Sequence, residues 1–249
     1  MNLKRFACVG LVSAAILSAP LALATTVQPI LLDLNTSGRN MTGVITVQNT
    51  SAAALPIEIR VDQLKFGPRG AEVDHPSDDL LVFPVQAVIQ PNQSQAFRVQ
   101  WVGEPSLTES RSYYVTVAQA PVALPQGQSA VQVVYNFQTL VNVSPTNGGA
   151  AQLRVLSSTI GHDPAGKPVA VATIANDARV HGYIAKGRIQ VIQKDSSGRV
   201  VVDKSLTSGQ LEQAIGFGLV GPGQQRTVTL PVPLASDQGN VEVRYTPNR

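Results

Sequence analysis

Cysteine is almost missing from this sequence: among 249 residues only Cys8 is one, and it lies in an apolar N-terminal stretch. The rest of the chain has no thiol with which to build a disulfide scaffold, so its stability must come from packing. Charge is scarce as well, at 14% of residues. Setting aside Lys4 and Arg5 leaves 17 of the 19 basic residues against 16 acidic ones, and no basic tract offers a nucleic-acid footprint. The three histidines, His75, His162 and His181, are scattered, with no two at the short spacing of a zinc site. Long segments of 3.6-residue periodicity are also missing, which argues against a helical bundle.

Catalytic signals are equally thin. The stretch "GHDPAGK" around His162 and Asp163 reads as a turn, and no serine sits on a strand-to-helix elbow. "GFGLVG" has Gly216, Gly218 and Gly221 at dinucleotide-fingerprint spacing, but Pro222 and Gly223 follow where the chemistry needs a helix to hold a pyrophosphate. A glycine-rich turn is the simpler reading. The sequence therefore predicts no enzyme, no metal and no cofactor.

What is there begins with an export signal. Lys4 and Arg5 precede the apolar "FACVGLVSAAILSAPL", and Ala22 to Ala24 supply a small-residue cleavage site, so residues 1–24 read as a signal peptide. The apolar run falls short of the roughly 20 residues a spanning helix needs, so no membrane span is expected after cleavage. Removing 24 of 249 residues leaves 225, enough for two domains of about 100 residues each.

From Thr26 onward, short alternating or apolar runs are split by Gly, Pro, Asn and Asp. In the first half these are "VQPILLDL", "MTGVITVQN", "LPIEIRVDQLKF", "LLVFPVQAVIQ", "QAFRVQWVG", "SYYVTVAQAPV" and "VQVVYNFQTLVNV". Seven strands at this spacing suit an immunoglobulin-like sandwich. "SPTNGGA", Ser144 to Ala150, has the composition of a linker, and a second β series follows it, with "KDSSGR" as a hairpin turn. The predicted fold class is all-β: two tandem immunoglobulin-like β-sandwich domains over 25–146 and 147–249.

One strand exceeds its neighbours. "VQVVYNFQTLVNV", Val131 to Val143, places Val131, Val133, Tyr135, Phe137, Thr139, Val141 and Val143 on one face as an almost unbroken apolar stripe. Either its own sandwich or the second domain covers that stripe, or a partner does; alternation alone leaves both readings open.

Several stretches resemble the periplasmic pilus chaperones of the PapD-like family. "VFPVQAVIQPNQSQAFRVQW" is similar to the family's strand, proline turn and strand with a basic residue, here Arg98. "ESRSYYVTVAQAP" resembles the segment where an acidic residue precedes aromatics, and "YNFQTLVNVSP" sits where the family keeps its subunit-binding strand. "TIANDARVHGYIAKGRIQV" and "GPGQQRTVTLPVPL" look like the second domain's asparagine-containing strand pair and late strand. The resemblance implies a non-enzymatic periplasmic chaperone that lends its long strand to a pilus subunit and delivers the subunit to an outer-membrane usher. Subunit-binding residues would be Val131, Val133, Tyr135, Phe137 and Thr139, with alternate side chains filling the partner's pockets. A structural or adhesive surface protein of two such domains is the alternative.

The pattern departs from the family in one respect. Its members anchor the subunit's C-terminal carboxylate with an Arg on the first strand and a Lys near the end of the lent one. Here "VQPILLDL" has no basic residue, and Asn142 stands where the Lys would be, so an archaic-type branch is the closer match. Pairing Ala120 with Ala130 would set Arg111 opposite Thr139 and make it the candidate anchor. The competing reading ties Arg111 to neighbouring acids. Lys186 and Arg188 come next.

Overall fold

The computed structural model describes residues 25–67, 69–120 and 134–248. The signal-peptide reading, Val131 and Val133 lie outside them. The first ten strands are β1 (Thr26–Gln28), β2 (Leu31–Asn35), β3 (Thr42–Gln48), β4 (Leu55–Gly67), β5 (Gly70–Pro76), β6 (Leu80–Phe83), β7 (Gln86–Ile89), β8 (Ser94–Trp101), β9 (Arg111–Gln119) and β10 (Asn136–Ser144). They form two sheets, β1-β3-β8-β6 and β2-β10-β9-β4-β5, with β7 added to β4. Strand alternation builds the core between them: Ile45, Val47, Phe97, Val99 and Trp101 from one sheet meet Tyr113, Val115, Val117, Val141 and Val143 from the other. Val44 and Arg98, one residue out of phase, face away from that core.

The second sandwich comprises β11 (Leu153–His162), β12 (Pro168–Asn176), β13 (Gly182–Tyr183), β14 (Gly187–Lys194), β15 (Val200–Leu206), β16 (Leu219–Val220), β17 (Gln225–Pro233) and β18 (Asn240–Pro247). Sheet β11-β12-β17 lies over β15-β14-β18, and β13 pairs with β16. Its separate core includes Ile174, Ile184, Ile189, Val191, Leu230 and Val243. Each sandwich also pins a strand end with a buried asparagine. Asn49 Nδ2 donates to the carbonyls of Ala53 and Ile89, and Asn176 Nδ2 to those of Val180 and Val220. The all-β, two-sandwich expectation holds.

Two details differ from the sequence reading. Single runs that contain a proline are cut in two: "VQPILLDL" becomes β1 and β2, which join opposite sheets, and "LLVFPVQAVIQ" becomes β6 and β7. Proline cannot donate to a ladder, so the chain changes partners there. The second sandwich also holds a helix, α1 (Ser208–Ile215), where none was expected. Its start is a capping box: Thr207 accepts from the backbone N–H of Gln210, and the Gln210 side chain accepts from that of Thr207. The glycines of "GFGLVG" follow this helix instead of preceding one, and Gly216 and Gly218 have φ near +63°. They make a turn.

Candidate functional site

The two ends of β10 have different surroundings. From Leu140 to Ser144 the strand lies between β2, parallel on one side, and β9, antiparallel on the other. From Asn136 to Thr139 its only ladder partner among the described residues is β9. The boundary falls at Pro29–Ile30, where the chain passes from one sheet to the other: Leu140 N–H donates to the carbonyl of Ile30, and the Thr139 hydroxyl to that of Pro29. Ahead of that point no described residue pairs with the other edge of β10.

Side-chain burial follows the same division. Val141 and Val143 are sealed in the first core. Phe137 is partly covered by it, and Tyr135 is 53% exposed. The two aromatic rings stack on one another, centroids 6.0 Å apart and 17° from parallel. The apolar stripe is therefore covered by its own sandwich over its C-terminal half and open at Tyr135. Thr139 does not belong with the exposed set, being fully buried with its hydroxyl engaged.

Arg111 lies elsewhere than the strand-pairing argument put it. The observed register sets Ala118 opposite Asn136 and Arg111 opposite Val143, four residues from the expected Thr139. Register is fixed by burying Val141 beside Tyr113, and this outweighs an assumed loop length. The guanidinium is held by Asp79 at 3.2 Å and Glu104 at 3.3 Å. Burial pulls its pKa down, but the hydrogen bond to Asp79 and the charges around it leave it raised. Asp79 also accepts from the Tyr113 hydroxyl at 2.6 Å, so this cluster ties the edge of the sandwich together.

The opposite face of β10 meets the second domain in a polar network. Asn142 lies beside Asp33 of β2 and Ser112 of β9. Ser112 donates to Asn142 Oδ1, Asn142 Nδ2 donates to the Tyr183 hydroxyl at 2.6 Å, and that hydroxyl donates to Asp33. His181 Nε2 and Lys186 Nζ each lie 3.2 Å from the Asp33 carboxylate, and Lys186 sits 4.1 Å from the centre of the Tyr183 ring. Burial pushes the Asp33 pKa up, yet the bonds from His181 and Tyr183 and the charges of His181 and Lys186 hold it well below the usual carboxylate range. The Tyr183 phenol is pushed up by burial and by Asp33. Sequence reasoning missed this network, whose members come from four separate segments and share no local motif. Beside it an interdomain cavity of about 560 Å³ opens, lined by Asp33, Ser144, His181, Tyr183 and Tyr245 among others.

No protein-family profile matches the chain, and no curated protein sequence matches it. Its fold does match solved structures. A chain in the structure of the Salmonella enterica SafA pilin in complex with the SafB chaperone is 13% identical, with a TM-score of 0.55 over 92% of this chain and 99% of that one. The E. coli chaperone DraB is 12% identical, with a TM-score of 0.51 over 91% and 98%. A chain of the CsuC–CsuE chaperone–tip adhesion subunit pre-assembly complex, from the archaic chaperone-usher Csu pili of Acinetobacter baumannii, is 11% identical, with a TM-score of 0.50 over 89% and 97%. At these identities the likeness is one of fold, over nearly the whole length of both partners.

Proposed function

We propose that the chain is a periplasmic chaperone that stabilises pilus subunits by lending them a strand and delivers them to an outer-membrane usher. The observation that carries this reading is that ahead of Leu140 the β2-side edge of β10 has no partner among the described residues, with Tyr135 exposed and stacked on Phe137. An unpaired edge bearing alternate apolar side chains is what strand addition needs: the backbone supplies hydrogen bonds, and the side chains fill pockets in an incomplete partner. Val131 and Val133 extend the same alternation toward the N-terminus, and the shared fold of the chaperone structures supports the reading.

The donor set on this reading is Val131, Val133, Tyr135 and Phe137. Thr139 marks the point where lending stops, since its side chain is committed to Pro29. Arg111 is committed to Asp79 and Glu104 and is not used as an anchor. The division we propose at 146/147 falls between Val143, the last buried residue of the first core, and Leu153, the first residue packed against the second.

Co-expression with a pilus subunit that lacks its last strand tests the proposal. A soluble one-to-one complex is expected, and Tyr135→Asp should lower its yield by about 10-fold or more, because a charge without a partner in an apolar pocket costs several kcal/mol. Undiminished capture by Tyr135→Asp, or isolation of the chain itself as a polymer, would sink the strand-lending reading.

A further inference from the structure

The segment joining the two sandwiches carries the sequence's one asparagine–glycine pair, Asn147–Gly148; every other asparagine precedes a residue with a side chain. Asn147 is exposed, and its carboxamide makes no hydrogen bond among the described residues. By contrast, Asn49, Asn142 and Asn176 are buried, with their carboxamides engaged.

Gly148 closes a β-turn, its N–H donating to the carbonyl of Pro145 at 2.9 Å. No other residue fits there without a shift: a Cβ would sit 2.5 Å from Cγ1 of Val180. The fold thus requires glycine after Asn147, and the same missing side chain leaves the Gly148 nitrogen unhindered. Both flanks are fixed, on opposite sides of the junction. The Thr146 hydroxyl is bonded to Ser37 at 2.6 Å and to Thr36 at 3.4 Å in the first sandwich, while Gly148 rests on Val180 of the second.

We propose that Asn147 is a modification site, where the folded protein spontaneously loses the side-chain amide and the resulting isoaspartate loosens the domain junction. The Gly148 nitrogen, freed from Pro145 and deprotonated by base, attacks Cγ of Asn147. The new C–N bond closes a succinimide ring, and ammonia leaves. Water then opens the ring. Attack at Cγ restores the normal backbone with an aspartate side chain; attack at the main-chain carbonyl gives isoaspartate, with the chain routed through Cγ. The net change is amide plus water to carboxylate plus ammonium, so no oxidant or enzyme is needed.

Isoaspartate lengthens the main chain by a carbon. With Thr146 held, the extra carbon displaces Gly148 from Val180. The residues on either side of Val180 bind the first sandwich: the Arg179 carbonyl accepts from the Ser110 N–H at 2.9 Å, and the His181 N–H donates to the Ser110 hydroxyl at 2.7 Å. These are the contacts that the modification weakens. The inference rests on this segment alone and does not require the chaperone reading.

The test holds purified protein in mildly alkaline buffer beside a matched sample in urea, with sampling over days. Peptide mapping by electron-transfer fragmentation should find isoaspartate at 147 in the folded sample, at a rate within about 10-fold of that in urea, because the exposed turn needs only local opening. Asn147→Gln, whose longer side chain cannot close the same ring, should stay unmodified at this position. Hydrogen exchange reads the consequence: in aged protein the Ser110 and His181 amides should exchange faster than in fresh protein by about 10-fold or more, and in equally aged Asn147→Gln they should not. Product confined to the urea sample overturns the site. Isoaspartate with unchanged exchange at both amides overturns its effect on the junction.

Discussion

The two halves of β10 have almost the same alternation in sequence but different roles. Around Val141 the strand is an interior member of its sheet, with neighbours on both edges and a buried residue on each face. From Asn136 to Thr139 one edge has no partner among the described residues, and Tyr135, just ahead of the strand, is exposed. The difference teaches that a strand's pattern records which residues share a face but not what lies across from that face. What covers it is decided by another segment, here the Pro29–Ile30 crossover, after which β2 starts beside Leu140. Substitutions along β10 should therefore have effects that fall steeply from its C-terminal end to its N-terminal end.

The largest effect is expected at Val141. It is fully buried between the sheets, and Val141→Asp places a charge in that core with no partner. A penalty of several kcal/mol is comparable with the roughly 5–15 kcal/mol stability of a whole domain. Denaturant unfolding followed by tryptophan fluorescence should show the first domain unfolded in buffer, because Trp101 reports on the same core. A cooperative transition near that of the wild type would mean that the two halves of the strand are equivalent after all.

A smaller effect is expected on the other face of the same half. Asn142→Ala leaves the buried Ser112 hydroxyl without its acceptor and takes one donor from Tyr183. Leaving buried polar groups unsatisfied costs about 1–3 kcal/mol. The unfolding midpoint should fall accordingly, and Tyr183→Phe in the same background should cost less than it does alone, since the two residues share one network. Strict additivity of the pair would remove the network as the link between the domains.

Much of this architecture was legible in the sequence. Alternation gave the strands, and turn residues separated them. The breaks at Pro29 and Pro84 were legible too, had proline's missing donor been weighed against the apolar run. Thr207 and Gln210 likewise announced α1. The site was less legible. The register that moves Arg111 away from Thr139 depends on which residues the core buries, and the network of Asp33, Asn142 and Tyr183 exists only once three distant segments meet.

The pH dependence of the domain junction sharpens the comparison further. The folded-state pKa of Asp33 is depressed, so its contribution to stability is present above the unfolded value of about 3.9 and is lost as pH falls below it toward the folded value. Between pH 5 and pH 2 the unfolding midpoint of the wild type should fall more than that of Asp33→Asn, which has no carboxylate to protonate there. The difference between the two curves isolates this residue from the other titrating acids. Parallel curves would show that His181 and Lys186 do not stabilise the ionised form.

The smallest effect on stability, and the one with the greatest functional consequence, is expected at Tyr135. Its ring is more than half exposed and its hydroxyl has no hydrogen bond among the described residues; its packing amounts to the stack on Phe137 at 6.0 Å. Surface substitutions away from buried features change stability by about 0.5 kcal/mol or less, so Tyr135→Asp should unfold at nearly the wild-type midpoint. Phe137 differs, because it also touches the core, and Phe137→Asp should cost clearly more. Chemical denaturation of both variants checks this ordering without any partner present. If Tyr135→Asp proves as destabilising as Phe137→Asp, Tyr135 is covered by its own chain, and the open half of the strand is not available for lending.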